Sequence, residues 1–296
     1  MKAIIWNTKS LPIPGTSYFH VSKFMSGFGS HGFSVVEANS PNLIEAIESE
    51  DIVYVSNHGF DHSVFEDALA EFRALSKKDC VFILWHFHNL MEGEVFETLP
   101  KRHVFTGEDH KTSEVLYDIY RQSSLFHPTT FLSSLHPSSV GKHVRNPTYD
   151  AQFVGSPYQP DLMRSLLSNF SIVGKYTPPF ISEEERIETF LSARCTLGFH
   201  STGCLEKGLV TERVAEGLAF GCVVVSDNSR APEVTDGCAI YASSYEDFAE
   251  VLLRARTDGK WLAAKQERGY EFARTRGTYT HLAASFMRHF AKCGLI

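Results

Sequence analysis

The alternation of short apolar runs with stretches of helical spacing constrains this chain more than any other feature. In the first half, the runs 2–7 and 51–57 each have an unbroken apolar centre of four residues, and an amphipathic stretch over 63–78 follows them. Strands that are apolar on both faces are typical of parallel sheets that helices cover on both sides. The pattern therefore predicts an α/β protein built on parallel sheets.

The alternation is interrupted once and then resumes. Residues 133–150 are rich in Ser, Pro and Gly and have no hydrophobic period, which is typical of a linker. The 296 residues suffice for two domains of about 100–200 residues each. We therefore expect two Rossmann-like doubly wound parallel-sheet domains, over 1–140 and 151–280. Residues 141–150, the last part of the linker-like stretch, are expected to connect them. A C-terminal helix within 281–296 is expected to pack back toward the N-terminal domain.

Composition argues against several classes of protein. The net charge is −7 and no run of Lys and Arg stands out, which argues against a nucleic-acid partner. The N-terminus is too polar for a signal peptide, and no apolar run approaches the ~20 residues that cross a bilayer. The six cysteines are scattered without a C-x-x-C pair or zinc spacing. We therefore expect a cytoplasmic protein with no transmembrane segment and no metal site.

Polar or basic residues follow the predicted strands of the second half. Ligands of open parallel sheets bind beyond the carboxyl ends of the strands, so these residues are expected to meet on one rim, at the mouth of a cleft between the domains. They are Ser156, Lys175, His200, Asp227 and Asn228.

One predicted helix, over about 211–220, begins at the same rim. Thr211 is its expected N-cap, and a helix N-terminus with free N–H groups suits a phosphate. Arg213 and Glu216 lie near one edge of this helix together with Glu212. The arginine can bind the same anion, while a glutamate can accept hydrogen bonds from sugar or ribose hydroxyls. These groups together describe a nucleotide-sugar site; the alternative is an exposed Arg–Glu pair of little energetic weight.

From Asp150 to about His289 the chain resembles the C-terminal half of GT-B glycosyltransferases. The likeness is closest to the "glycosyl transferases group 1" type of CgeB-like spore-coat proteins. Three motifs carry it: Phe153-Val154-Gly155, the R-x-x-E-x-x-A-x-G stretch from Arg213 to Gly221, and Glu233 to Gly237. The resemblance implies two domains facing across a cleft, with a nucleotide-sugar donor on the C-terminal one and no tightly bound cofactor or metal.

A second, partial resemblance is to alpha-1,3-fucosyltransferases. Their V-T-E-K motif is similar to the stretch from Val210 to Arg213, and their preceding strand motif is similar to the stretch from Arg194 to His200. In that family the T-E-K residues grip a GDP-sugar, which slightly favours a GDP-sugar, GDP-fucose included, over a UDP-sugar. The departures are Arg for Lys at two positions, His200 for a Glu, and a longer spacer.

The resemblance implies a hexosyl- or fucosyltransferase that moves the sugar to a hydroxyl of a glycan or related acceptor. Arg213 would stabilise the leaving diphosphate, where charge develops, with Lys207 or Arg194 assisting. Glu216 would hold the ribose and Glu212 the ribose or sugar. The expected donor-binding residues are Arg194, His200, Lys207, Thr211, Glu212, Arg213, Glu216, Asp227 and Asn228.

The N-terminal half is expected to bind the acceptor. By analogy with fucosyltransferases, which carry their base after a comparable strand, His88 is the candidate catalytic base, with His58, Asp61 and His86 as rivals. Inversion of the sugar would use this base, whereas retention would leave His88 as a binding residue. Two other functions stay open: a nucleotide-sugar epimerase of GT-B shape, and a non-catalytic nucleotide-sugar or glycan-binding protein.

Overall fold

The computed structural model of the chain forms two compact units. One contains the described residues up to 128 together with Tyr279–Ile296, and the other contains those from 147 to Thr278. The structure describes residues 1–6, 24–38, 45–56, 65–85, 100–107, 126–128, 147–155, 158–175, 182–208 and 210–296.

The first unit is built on a sheet of six parallel strands in the order β2-β1-β3-β4-β5-β6. The strands are β1 (Lys2–Trp6), β2 (Ser34–Ala38), β3 (Ile52–Ser56), β4 (Val81–Trp85), β5 (His103–Gly107) and β6 (Phe126–Pro128). Helix α1 (Phe65–Leu75) packs on one face, where the ring of Phe72 lies 6.1 Å from that of Trp6.

The other face of this sheet is covered by a 3₁₀ turn (Gly27–His31) and by the last helix of the chain, α9 (Tyr279–Lys292). Phe286 is fully buried there, with its ring 5.4 Å from that of Phe24. The turn approaches α9 so closely that a Cβ at Gly27 would overlap the backbone carbonyl of Tyr279. The C-terminal helix thus completes the core of the first unit.

The second unit is built on five parallel strands in the order β11-β10-β9-β7-β8. The strands are β7 (Tyr149–Val154), β8 (Ile172–Lys175), β9 (Ala193–Gly198), β10 (Val223–Ser226) and β11 (Ile240–Tyr241). The helices are α2 (Pro160–Leu167), α3 (Glu183–Leu191), α4 (Thr202–Lys207), α5 (Glu212–Ala219), α6 (Ala231–Val234), α7 (Tyr245–Thr257) and α8 (Gly259–Arg276).

Both sheets have the same strand order when each is numbered from its own first strand, 2-1-3-4-5, with a sixth strand added in the first unit. This is a doubly wound order, and the winding direction reverses between the first and third strands. In the second unit that switch point lies between β7 and β9. The predicted fold class, two doubly wound parallel-sheet domains, is confirmed.

Helices cover both faces of the second sheet. On one face α2 and α7 bury Leu166 and Phe248 against Phe153, and on the other α3 and α5 bury Phe190 and Leu218. Helix α5 lies very close to its strands, because a Cβ at Gly217 would come within 2.8 Å of the hydroxyl of Thr196. This contact fixes α5 at the height where its first turn reaches the carboxyl edge of the sheet.

Most predicted elements of the second half appear within a few residues of their expected bounds. The predicted helix over 182–193 begins as expected, because Ser182 and Glu185 form a reciprocal capping box. Helix α4 was not predicted, since Thr202–Lys207 is short and contains Gly203. Strand β6 was also not predicted.

Candidate functional site

The guanidinium of Arg213 lies at the switch point of the second sheet. Its Nε donates to the carbonyl oxygen of Val154 at 2.6 Å, and its Nη1 donates to that of Phe199 at 2.8 Å. Val154 ends β7 and Phe199 directly follows β9. Arg213 therefore spans the carboxyl ends of the two strands between which the winding reverses, which is where doubly wound sheets bind ligands.

The F-V-G motif at the end of β7 forms the bed of this arginine. The Arg213 guanidinium carbon lies 4.9 Å above the ring of Phe153, within the range of a cation–π contact. Gly155 has φ of 140°, and a Cβ there would overlap Arg213 Nη2 and lie 3.0 Å from Cζ. The glycine is thus required both by its backbone conformation and by the arginine packed against it. Two motifs that stand about sixty residues apart in the sequence meet in one contact.

The N-terminus of α5 begins at Thr211, as predicted, but the side chain of Thr211 does not cap it. Instead its backbone N–H donates to His200 Nε2 at 3.1 Å, and its Oγ1 lies 3.3 Å from the same nitrogen. The side-chain cap expected from the sequence is therefore replaced by a tether to the end of β9. The N–H groups of the first turn of α5 donate no hydrogen bond to the Thr211 side chain.

His200 is buried between two protein partners. Its side chain has no exposed surface, and its Nδ1 lies 2.6 Å from Asp227 Oδ1. The backbone N–H of His200 donates to Asp227 Oδ2 at 3.1 Å, and Gln159 Nε2 donates to the same oxygen at 2.6 Å. Both ring nitrogens of His200 thus contact protein atoms, so the imidazole is placed to hold the rim together. Gln159, the N-cap residue of α2, was not predicted as part of the site.

Asn228 organises the loop that follows β10. It is 2% exposed, its N–H donates to Ser226 Oγ, and its Oδ1 accepts the N–H of Arg230 at 3.0 Å. Ser226 Oγ in turn donates to the carbonyl of Gly198 at the end of β9. Asp227 and Asn228 therefore lie at the predicted rim, next to the end of β9.

Glu216 forms an ion pair that the sequence did not predict. Arg186, in the first half of α3, donates to Glu216 Oε1, and the two side chains are 16% and 7% exposed. The expected role of Glu216 on the ribose needs an accessible carboxylate, whereas the structure places this carboxylate inside the unit with Arg186 toward the surface. Thirty residues separate the partners, so helical spacing could not reveal the pair.

Arg194 lies at the opposite edge of the sheet from the other candidate residues. It is the second residue of β9, and its guanidinium lies 3.7 Å from Asp150 Oδ1, near the start of β7. At about 3.3 Å per residue, the six residues from Arg194 to His200 correspond to about 20 Å. Arg194 therefore does not belong to the group of side chains at the switch point.

Asp150 anchors that opposite edge. Arg256 forms two hydrogen bonds with its carboxylate, and the N–H of Ser171 donates to it at 2.9 Å. Burial raises the pKa of Asp150, but the side chain of Arg256, the Ser171 amide and the charge of Arg194 outweigh burial, so the pKa lies below its ordinary value. The carboxylate is thus an ionised structural group.

The remaining predicted residues are only partly described or not described. Lys207 is the last residue of α4 and Glu212 is the first residue of α5, and the structure describes only the backbone of these two residues. The predictions for the N-terminal half fall outside the described residues; they concern His58, Asp61, His86 and His88. Ser156 also lies outside them, and Lys175 is described only as the last residue of β8.

Within the described ranges, no three His, Cys, Asp or Glu side chains come together in a way that could hold a metal ion. No helix of the described part is both long enough and apolar enough to cross a membrane.

Comparisons with known proteins point to one group. A family model described as "Glycosyl transferase-like" matches residues 141–288, half of the chain. No curated protein matches the chain.

Among solved structures, the chain is similar to a DNA-modifying beta-glucosyltransferase at 11% identity, with a TM-score of 0.60 over 98% of this chain and 100% of that one. It is also similar to a mutant O-GlcNAc transferase of Thermobaculum terrenum at 12% identity, with a TM-score of 0.52 over 98% of this chain and 67% of that one. At such identities the likeness shows a shared fold.

Proposed function

Because the chain belongs to the glycosyl transferase-like family and has the GT-B fold, we propose that it transfers a sugar from a nucleoside-diphosphate sugar to a hydroxyl of a glycan or related acceptor. One observation carries the proposal. The guanidinium of Arg213 is fixed at the carboxyl ends of β7 and β9, next to the start of α5. An anchored cation beside a helix N-terminus is suited to a diphosphate.

Arg213 and the first-turn N–H groups of α5 bind the diphosphate of the donor. As the bond between the sugar and the diphosphate breaks, negative charge grows on the leaving group, and donors that are already in place stabilise it without reorganising. The strand-end carbonyls and the Phe153 ring keep the arginine in place before the donor arrives. Lys207 and Glu212 stay candidates for further contacts to the donor.

Glu216 serves this site through Arg186. A buried carboxylate needs a partner, and Arg186 provides it. Because α3 begins at the carboxyl edge of the sheet, its first half brings this second arginine toward the same edge as Arg213. Arg186 therefore replaces Arg194 as the candidate for the additional cation.

The donor base and the acceptor side are separate proposals. The partial likeness to fucosyltransferases favours a GDP-sugar, GDP-fucose included, whereas the beta-glucosyltransferase with the similar fold is described with uridine diphosphoglucose as its substrate. His88 stays our candidate for the base that activates the acceptor hydroxyl. Analysis of the anomeric form of the product decides between inversion, which needs such a base, and retention.

The first experiment is a thermal-shift panel with GDP, UDP, CMP, dTDP, ADP, NAD and the common nucleotide-sugars. A ligand that binds the folded state raises the midpoint by mass action. We expect a shift with one nucleoside diphosphate. Arg213→Ala should weaken this binding about ten- to a hundredfold, since a hydrogen bond to a charged group contributes about 1.5–3 kcal/mol.

Arg194→Ala is the matched control, since it removes the same side chain at the opposite edge of the sheet. Its nucleotide affinity should stay within about twofold of the wild type. A folded wild-type protein that binds no nucleotide would refute the proposal. Turnover of the donor without any acceptor would favour the epimerase, and binding without turnover would favour the non-catalytic protein.

A further inference from the structure

We propose that His200 and Asp227 are positioning residues for the donor site. Asp227 selects the tautomer of the His200 imidazole, and this tautomer binds the backbone N–H at the start of α5. The inference rests on the proposed function only for the identity of the ligand that the positioned helix binds. Neither residue needs to touch the donor, because their effect passes through Thr211 and Arg213.

The hydrogen bonds of His200 define a single tautomer. A backbone N–H can only donate, so the contact from the Thr211 N–H requires a lone pair on Nε2. The proton of the ring then lies on Nδ1, where Asp227 Oδ1 accepts it at 2.6 Å. If the proton were on Nε2 instead, two donors would face each other at the start of α5.

Asp227 is itself held in the orientation that this tautomer needs. Gln159 Nε2 and the backbone N–H of His200 both donate to Oδ2, which leaves Oδ1 for the imidazole. The backbone N–H of Asp227 approaches the carbonyl of Gly198, with N and O 3.4 Å apart. The carboxylate thus connects α2, the end of β9 and the end of β10, with 6% of its side chain exposed.

Phe199 and His200, the two residues that directly follow β9, each form a hydrogen bond with the start of α5. His200 accepts the N–H of Thr211, and the carbonyl of Phe199 accepts the Nη1 of Arg213. The helix lacks a side-chain cap from Thr211, so the imidazole is the group that fixes its first backbone N–H. Loss of this tether would let the first turn shift, and a shift of about 1 Å at a positioned group is enough to reduce catalysis strongly.

Nuclear magnetic resonance tests the tautomer directly in the wild-type protein. The ¹⁵N shifts of a neutral imidazole distinguish the protonated nitrogen from the unprotonated one. We expect His200 at pH 7.5 to carry its proton on Nδ1 and to keep Nε2 free as an acceptor. A proton on Nε2, or on both nitrogens, would overturn the inference whether or not the protein binds a nucleotide.

Three variants test whether the hydrogen bond to Thr211 is required or whether any polar side chain at these positions is sufficient. Asp227→Asn offers an N–H to Nδ1 and so drives the ring proton to Nε2, against the Thr211 N–H. His200→Asn keeps a donor for Asp227 but cannot reach Thr211, whereas His200→Gln places an amide oxygen near the position of Nε2. We expect donor affinity and turnover to fall about tenfold or more in the first two variants and to recover at least partly in His200→Gln.

Ser244→Ala is the matched control, because it removes a helix cap of the same unit at α7, away from this network. Its donor affinity should equal that of the wild type even if its unfolding midpoint falls. A wild-type protein that binds the donor, with Asp227→Asn and His200→Asn binding it equally well, would overturn the inference and leave the proposed function standing. A folded wild type that binds no nucleotide would overturn both.

Discussion

The contact between Gly155 and Arg213 allows a sharp test, because the position of the arginine can be perturbed without substituting any charged residue. In Gly155→Ala the new methyl would overlap Arg213 Nη2 and lie 3.0 Å from Cζ, and the backbone would have to keep φ of 140° with a side chain. The substitution therefore acts on the arginine through space. We expect it to lower both stability and nucleotide affinity.

The magnitude follows from two contributions. A non-glycine residue in this backbone region costs about 1–3 kcal/mol. If the guanidinium moves away, its bonds to Val154 and Phe199 weaken, and each such bond contributes about 1.5–3 kcal/mol when it is lost entirely. Since the arginine can relax partly, we expect the free energy of unfolding to fall by about 2–5 kcal/mol, measured by urea denaturation.

A double-mutant cycle isolates the contact from the backbone strain. In the Arg213→Ala background the overlap is absent, so Gly155→Ala should cost only the strain of about 1–3 kcal/mol. Gly203→Ala is the control, because a methyl there meets nothing within 4 Å, and in α4 it should stabilise by about 0.5–1 kcal/mol. An equal cost of Gly155→Ala in both backgrounds would refute the argument that the glycine accommodates the arginine.

Three further predictions concern stability. The pKa of Asp150 lies below its ordinary value of about 3.9, so its ionised form stabilises the protein above that pH, and this contribution is lost as the pH falls through the lowered pKa. Asp150→Asn should therefore be less stable at pH 7 and show a flatter loss of stability between pH 5 and 3 in urea titrations. Glu216→Leu alone should cost about 3–5 kcal/mol because it removes the carboxylate that Arg186 contacts, whereas Glu216→Leu combined with Arg186→Met should be close to wild type in the same assay. Equal costs of the single and double variants would contradict this. Phe286→Ala in α9 should cost about 3–5 kcal/mol by calorimetry, and a cost below 1 kcal/mol would show that α9 does not complete the core of the first unit.

The fold was predictable because hydrophobic periodicity is a local signal. The stretch 222–228, whose first four residues are apolar, could be assigned as a buried strand from its residues alone, and it contains β10 (Val223–Ser226). Helix α4 escaped prediction because a polar helix of six residues carries no period. The order of the strands was also not visible in the sequence, since it depends on which strands pair across the sheet.

The candidate site was predictable where a spacing or a motif marks it and not where the partner is distant. Arg213 and Asp227 follow strand ends and helix starts, which the sequence shows. Gln159, in contrast, reaches Asp227 across 68 residues, and a glutamine before a proline has no distinguishing pattern. The position of Arg194 was not visible for a related reason, because the resemblance used that residue without showing at which edge of the sheet it lies.

The charged residues at the start of α5 are not explained by the packing of that helix. A buried ion pair generally contributes no more to stability than apolar side chains of the same size, and the side chain of Glu216 is 7% exposed in such a pair. The position of Arg213 at the switch point has a different physical consequence: its direction is set before an anion arrives. Fixed charge of this kind lowers the energy of a leaving diphosphate because no reorganisation is needed at the moment of reaction. Within the proposed reaction, the charged residues of α5 therefore act through the electrostatics of the donor site. The close approach of α5 to the sheet at Gly217 provides the packing of the helix.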